Sequence, residues 1–169
     1  MIHGIPAARG HTLPELLAML GIAAILAGAA VPVFSNLVLE SRMNAAVSTA
    51  MHAINLARQF SATRSEKIRL CGGDVSGSCT DRLDWTGELL LTGDPDRFRQ
   101  ALALPEAGSP RIRSNRPMLE FEAGTGFATP ATLTLCDRRG ARAARAVIVS
   151  RSGRPRTSVR DASDRALTC

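Results

Sequence analysis

The sequence predicts an α+β chain in which a long N-terminal α-helix packs on a small antiparallel β-sheet head, and three observations carry that prediction. Residues 16–39 contain no charged side chain. Beyond them Met43, Val47, Ala50, Ile54 and Ala57 recur at the three- and four-residue intervals of one helix face, while Ser48, His52, Asn55 and Gln59 fall on the others. After Arg64 the period changes to short apolar runs bounded by Gly, Pro, Asp and Ser, the pattern of strands and turns.

Taken in order, the first element begins behind a basic leader, "MIHGIPAARG". The run 13–34, at about 1.5 Å rise per residue, is long enough to cross a bilayer core roughly 30 Å thick. A cleaved secretory signal has a shorter apolar region followed by a small-residue cut site, which is not the arrangement here. Glu15 stands near the start of this helix, where a carboxylate in lipid is costly without a partner and therefore reads as functional. Pro32 removes one helical hydrogen bond and should kink or loosen the helix. The helix then continues to 62–64, its second half pressing the apolar stripe against the head. Strands are expected at 67–71, 88–92, 118–122, 132–136 and 145–150. Residues 93–116, with Pro95, Pro105 and Pro110 and mixed charge, read as a long irregular connection. At 169 residues the chain has room for one small core.

The motif that opens the helix, Gly10-His11-Thr12-Leu13-Pro14-Glu15, resembles the type IV prepilin signal, the G-F-T-L-x-E pattern of type IV pilins and type II secretion pseudopilins, with His11 where the family has Phe. "AVPVF" at 30–34 is similar to the same family's helix. The resemblance implies that a prepilin peptidase cuts after Gly10, methylates the new amine of His11 and leaves the helix as membrane anchor and later filament core. It further implies that Glu15 pairs with the N-terminal amine of a neighbouring subunit during assembly. The chain then divides into a leader at 1–10, a transmembrane and filament-core helix at 11–34, an amphipathic half-helix at 35–64 and a β-rich head at 65–169. Its implied location is the inner membrane, single-pass with the head in the periplasm, and then a pilus or pseudopilus.

Four cysteines, Cys71, Cys79, Cys136 and Cys169, form no CxxC pair and have no histidine nearby, so neither zinc nor another metal is expected. In an exported chain three disulfide pairings are possible. The spacing favours Cys71 with Cys79, closing a loop rich in Gly and Ser, and Cys136 with Cys169, tying down the C-terminal tail.

Catalysis finds little support. His3, His11 and His52 are not placed to serve a nucleophile, and Glu120 and Glu122 on one strand face read as solvated. "GTGF" at 124–127 lacks the lysine of a P-loop and reads as a turn. No enzyme activity and no cofactor are expected.

Charge is more informative. All basic residues except Lys67 are arginine, and a net charge of +6 points to an acidic partner unless codon bias alone explains it, so the placement of the arginines must decide. They gather in the C-terminal segment "TLTLCDRRGARAARAVIVSRSGRPRTS", 132–158, which resembles the C-terminal region of the GspH/FimT family of minor pilins and type II secretion H pseudopilins. Residues 72–116 match only loosely, around "DWTGELLLTGD". FimT-like members that bind DNA carry a GRxR motif, here Gly153, Arg154, Pro155 and Arg156.

The residues support the same site on physical grounds. Ser152 and Gly153 favour a turn. If the chain leaves it extended, Arg154 and Arg156 project to one side about 6.6 Å apart, and Pro155 confines the piece to a sheet edge or loop. Paired guanidiniums suit adjacent phosphates. Arg138, Arg139, Arg142, Arg145, Arg151 and Arg160 would widen the positive surface against Asp137, Asp161 and Asp164. Because Trp85 and Phe127 lie elsewhere in the sequence, base stacking is not expected. The expected function is that of a type IV minor pilin which binds DNA through its phosphates, almost blind to sequence, for uptake. The alternatives are a type II secretion pseudopilin H that contacts only other pseudopilins, and a structural priming subunit whose arginines join its neighbours.

Overall fold

The computed structural model describes residues 12–74, 77–93, 98–104 and 109–169, with the side chains of 29–33 outside that description. The chain divides into two units, Met1–Val38 and Leu39–Cys169. Helix α1, Leu13–Arg64, supplies all the described residues of the first unit except Thr12 and the opening of the second. Thr12 caps it: the amides of Glu15 and Leu16 donate to the Thr12 carbonyl at 3.1 and 3.2 Å. The Thr12 amide in turn donates to the Glu15 carboxylate at 3.4 Å, the half of a capping box that the acidic residue supplies. Pro14 in the first turn needs no hydrogen-bond partner for its nitrogen. Among the described residues no helix is long and apolar enough to cross a membrane. The described side chains of the apolar run stop at Gly28 and resume at Phe34, and the kink expected at Pro32 falls in the gap.

In the second unit α1 buries the stripe expected of it. Met43, Ala50, Ile54 and Ala57 are fully buried, together with Ala46 and Ala53, while Val47 is half-buried against the same core. His52 lies exposed on the opposite face. The helix ends at Arg64, whose guanidinium lies 4.7 Å from the ring of Phe60 and 4.6 Å from that of Phe98.

Among the described residues eight strands form two four-stranded antiparallel sheets. The first has the order β3-β2-β1-β5, built from β1 Ile68–Gly72, β2 Glu88–Gly93, β3 Arg99–Ala103 and β5 Met118–Phe121. The second has the order β4-β6-β7-β8, from β4 Arg111–Ser114, β6 Ala131–Cys136, β7 Arg145–Val149 and β8 Pro155–Ser158. One core joins the helix stripe to Ile68, Leu70, Trp85, Leu89, Leu91, Leu119 and Phe121 of the first sheet side and to Ile112, Leu133, Leu135, Val147 and Val149 of the second.

One expectation needs correction here. Residues 93–116 are not one irregular connection, because they contain β3 and β4. The antiparallel β head that the sequence predicts is built from the two sheets. Both disulfides join the cysteines that the spacing favours, Cys71 to Cys79 and Cys136 to Cys169. The second holds the C-terminal segment where Leu167 packs with Ala144, Ala146 and Ile148 in a small core of its own.

Candidate nucleic-acid interface

Strand β7 gives way to a tight turn whose ends are stitched together. The Gly153 amide donates to the Ser150 carbonyl at 2.9 Å, and the Ser150 amide donates to the Arg154 carbonyl at 3.1 Å. Gly153 has φ +71°, and a Cβ there would lie 2.3 Å from the Gly126 carbonyl oxygen and 3.0 Å from Arg58 Cδ. Only glycine meets both demands. Arg58 of α1 donates through Nε to the Ser152 carbonyl at 3.2 Å, and the Ala128 amide donates to the Arg151 carbonyl at 2.9 Å. The arginine turn is thus pinned from one side by the helix and from the other by the turn at 122–128.

The chain leaves this turn extended, as the sequence reading expects. In β8 Pro155 pairs with Val149 and Arg156 with Ile148, and β8 is an edge of its sheet, where the missing amide of proline costs nothing. Arg154 and Arg156 are both exposed on either side of the half-buried Pro155. Arg151 is exposed one turn away. Among the described residues, Arg151, Arg154 and Arg156 have no carboxylate partner.

Other arginines of the segment do not join this surface. Arg139 bonds Asp137 at 2.7 Å and Glu40 of α1 at 2.8 Å; Arg145 reaches the same Glu40 at 3.3 Å. Arg160 lies 3.8 Å from Asp164, so three of the arginines expected to widen the patch are committed to ion pairs. Arg138 and Arg142 remain exposed without such a partner among the described residues. The opposing acids are spent in the same way. Burial raises the Asp137 carboxyl, but the side chain and amide of Arg139 outweigh it and hold the group below the usual carboxylate range. Asp161 is lowered by the amides of Arg165 and Ser163 and the Arg165 side chain. Neither acid is left to neutralise Arg154 or Arg156.

Phe127 lies far from the arginines in sequence but near their turn in the fold. It follows the turn in which Gly124 and Gly126 have φ +76° and +68°, as "GTGF" predicts, but that turn abuts the arginine turn. Phe127 is 47% exposed, and the amide of the next residue, Ala128, donates to the Arg151 carbonyl, so an exposed aromatic residue lies next to the arginine turn. Contact between two turns distant in sequence has no local signal; the two glycines with forced positive φ are its only trace.

The remaining candidates are placed unevenly. Gly10 and His11 lie outside the described residues. Glu15 is exposed in the first turn of α1, where the helix dipole favours its charge and its carboxylate helps cap the helix, a role the Thr-x-x-Glu spacing carries and the sequence reading passed over. Glu120 lies opposite Arg69 and approaches it to 3.6 Å. Among the described residues no group of three or more His, Cys, Asp or Glu side chains could hold a metal ion.

No curated protein matches the chain in sequence. Two crystal structures of the type IV minor pilin FimU of Pseudomonas aeruginosa (strain PAO1) share its fold. One, in space group P21, aligns with TM-score 0.55 at 15% identity over 76% of this chain and 96% of FimU; the other, in P65, with 0.51 at 14% over 75% and 99%. At that identity the likeness shows the fold alone. The family described as "Type II transport protein GspH" matches residues 46–153, a span that includes the helix stripe from Ala46 on, both sheets up to the arginine turn and Gly153 itself, leaving Arg154 and Arg156 just beyond it. The chain therefore belongs to the GspH family, with the α+β fold of the type IV minor pilins.

Proposed function

We propose that this chain is a minor pilin of a type IV pilus, cut after Gly10, methylated at His11, anchored in the inner membrane by α1, and assembled with other pilins through Glu15. In the filament its head binds DNA for uptake. One observation carries the DNA reading: Arg154 and Arg156 flank a stiff proline on an edge strand, exposed and without a carboxylate partner among the described residues. Guanidiniums held in that way meet adjacent phosphates at little entropic cost, and Arg151 adds a third.

The test is a gel shift of the full chain in neutral detergent with double-stranded DNA, comparing wild type with Arg154→Ala plus Arg156→Ala. About three phosphate contacts give a log–log salt slope near −2 to −3, so affinity should drop roughly 30-fold between about 50 and 200 mM salt. The double variant should flatten the slope by about 2. Unchanged binding in the variant, or none in wild type at low salt, removes the DNA reading. The second reading, a type II secretion pseudopilin H without nucleic acid, is favoured by the description of the matching family. It gains if DNA binding fails while copurification with other pseudopilins succeeds.

A further inference from the structure

We infer that Phe127 is a base-stacking platform beside the arginine turn, so that the site prefers DNA strands with unpaired bases to closed duplex. The inference rests on the DNA reading above and names the form of DNA that the same site takes.

Phe127 is the one large aromatic side chain among the substantially exposed hydrophobics of the described head. Its backbone is fixed on three sides. The Glu122 amide donates to its carbonyl at 2.7 Å, its own amide donates to the Thr125 hydroxyl at 3.2 Å, and the next amide, of Ala128, donates to Arg151 at 2.9 Å. Arg58 braces both turns at once: its Cγ lies 3.0 Å from the Cβ position of Gly126 and its Cδ 3.0 Å from that of Gly153. A ring on such a base loses little freedom on binding, as an aromatic platform requires.

Charge orients the strand. A cleft of about 360 Å³ opens beside this turn, lined by Glu120 and Glu122 together with Lys67 and Arg151, while Arg154 and Arg156 stand exposed outside it. The carboxylates disfavour phosphates within the cleft, and the exposed arginines attract them outside it. A strand following those arginines passes the turn that carries Phe127, where base faces can meet the ring. In a duplex those faces are hidden by their neighbours, whereas an unpaired base offers its face to the ring.

The test uses the full chain in neutral detergent, a thymidine homopolymer and a blunt duplex of equal length, with Phe127→Ala, Phe127→Leu and Phe127→Trp. Wild type should bind the single strand more tightly than the duplex. Phe127→Ala and Phe127→Leu should lose roughly 5- to 100-fold on the single strand and less than about twofold on the duplex, while Phe127→Trp retains the preference. A fluorescent purine analogue in the strand should be quenched by wild type and Phe127→Trp only. Equal losses on both DNA forms, or no loss in either variant, overturn the stacking role. Duplex binding that needs Arg154 and Arg156 but ignores Phe127 sinks this inference and leaves the DNA reading standing. No binding of either form sinks both, and normal DNA binding with failed pilin assembly in Phe127→Ala assigns the ring to a subunit contact instead.

Discussion

Gly153 shows how a single residue can serve a site without touching its ligand. Its amide closes the turn after β7, its φ of +71° suits residues without a side chain, and a methyl group would collide with the Gly126 carbonyl oxygen at 2.3 Å. Backbone strain alone costs about 1–3 kcal/mol, and the collision is with backbone rather than a flexible side chain. Gly153→Ala should therefore lower Tm by at least about 5 °C in thermal unfolding. An unchanged Tm would mean that the two turns are not packed as described. The second residue-scale case is Asp137, whose side chain is 4% exposed and bonded to Arg139. Its carboxyl is lowered on folding, so it stabilises the fold fully above its unfolded pKa near 3.9 and loses that contribution as pH falls further. Asp137→Asn should cost about 1–3 kcal/mol at neutral pH and progressively less below about pH 4, a convergence that denaturant titrations at several pH values would reveal. A gap that does not narrow in acid would reject the ion pair as its source.

At the scale of elements the two disulfides differ in what they restrain. Cys71 and Cys79 are 8 residues apart, Cys136 and Cys169 33 apart. Loop-closure entropy makes the longer link worth about 4 kcal/mol against about 2.5 for the shorter. The longer one also keeps Leu167 in the small core against Ala146 and Ile148. Replacing Cys136 and Cys169 by Ser should thus lower stability more than replacing Cys71 and Cys79, measured by urea unfolding under oxidising conditions. The reverse order would show that strain or residual structure, not loop length, governs the pair. Elements also decide what the sequence could reveal. Five strands were legible to within a residue or two because each buries a run such as "ELLLTG" or "RAVIV". β3 and β4, which were missed, and β8, which was expected only as an extended sheet edge or loop, are edges of their sheets. An edge strand can be short and polar: β4 buries only Ile112 and Ser114, and β8 buries no large apolar side chain. The arginine pair was legible because Gly, Pro and Arg fix a turn and an edge locally. The ion pairs of Arg139 and Arg145 to Glu40 were not, since they join residues 99 and 105 positions apart.

For the whole molecule the governing contrast is between the two units. In the first, Leu16, Leu17, Leu20, Ile22, Ile25 and Leu26 are all exposed, spread around the helix rather than along one stripe. Each contributes about 1.5–3 kcal/mol only when something removes it from water. A bilayer and a bundle of like helices are both apolar enough to do so. The charge-free run ends at Leu39, and Glu40, the first charged residue after it, lies in the second unit, where Arg139 and Arg145 hold its carboxylate. On the proposed reading the peptidase leaves a chain beginning at His11, whose amine meets Glu15 of a neighbour as filaments form. A buried anion and cation from different subunits stabilise assembly only as a pair. Intact-mass measurement of membrane-extracted protein should show the loss of the first ten residues and one added methyl group. Glu15→Ala should be cut normally and remain in membranes, yet be depleted from sheared filaments. A mature chain that keeps its leader, or one cut beyond Phe34, removes the anchor and with it the filament role.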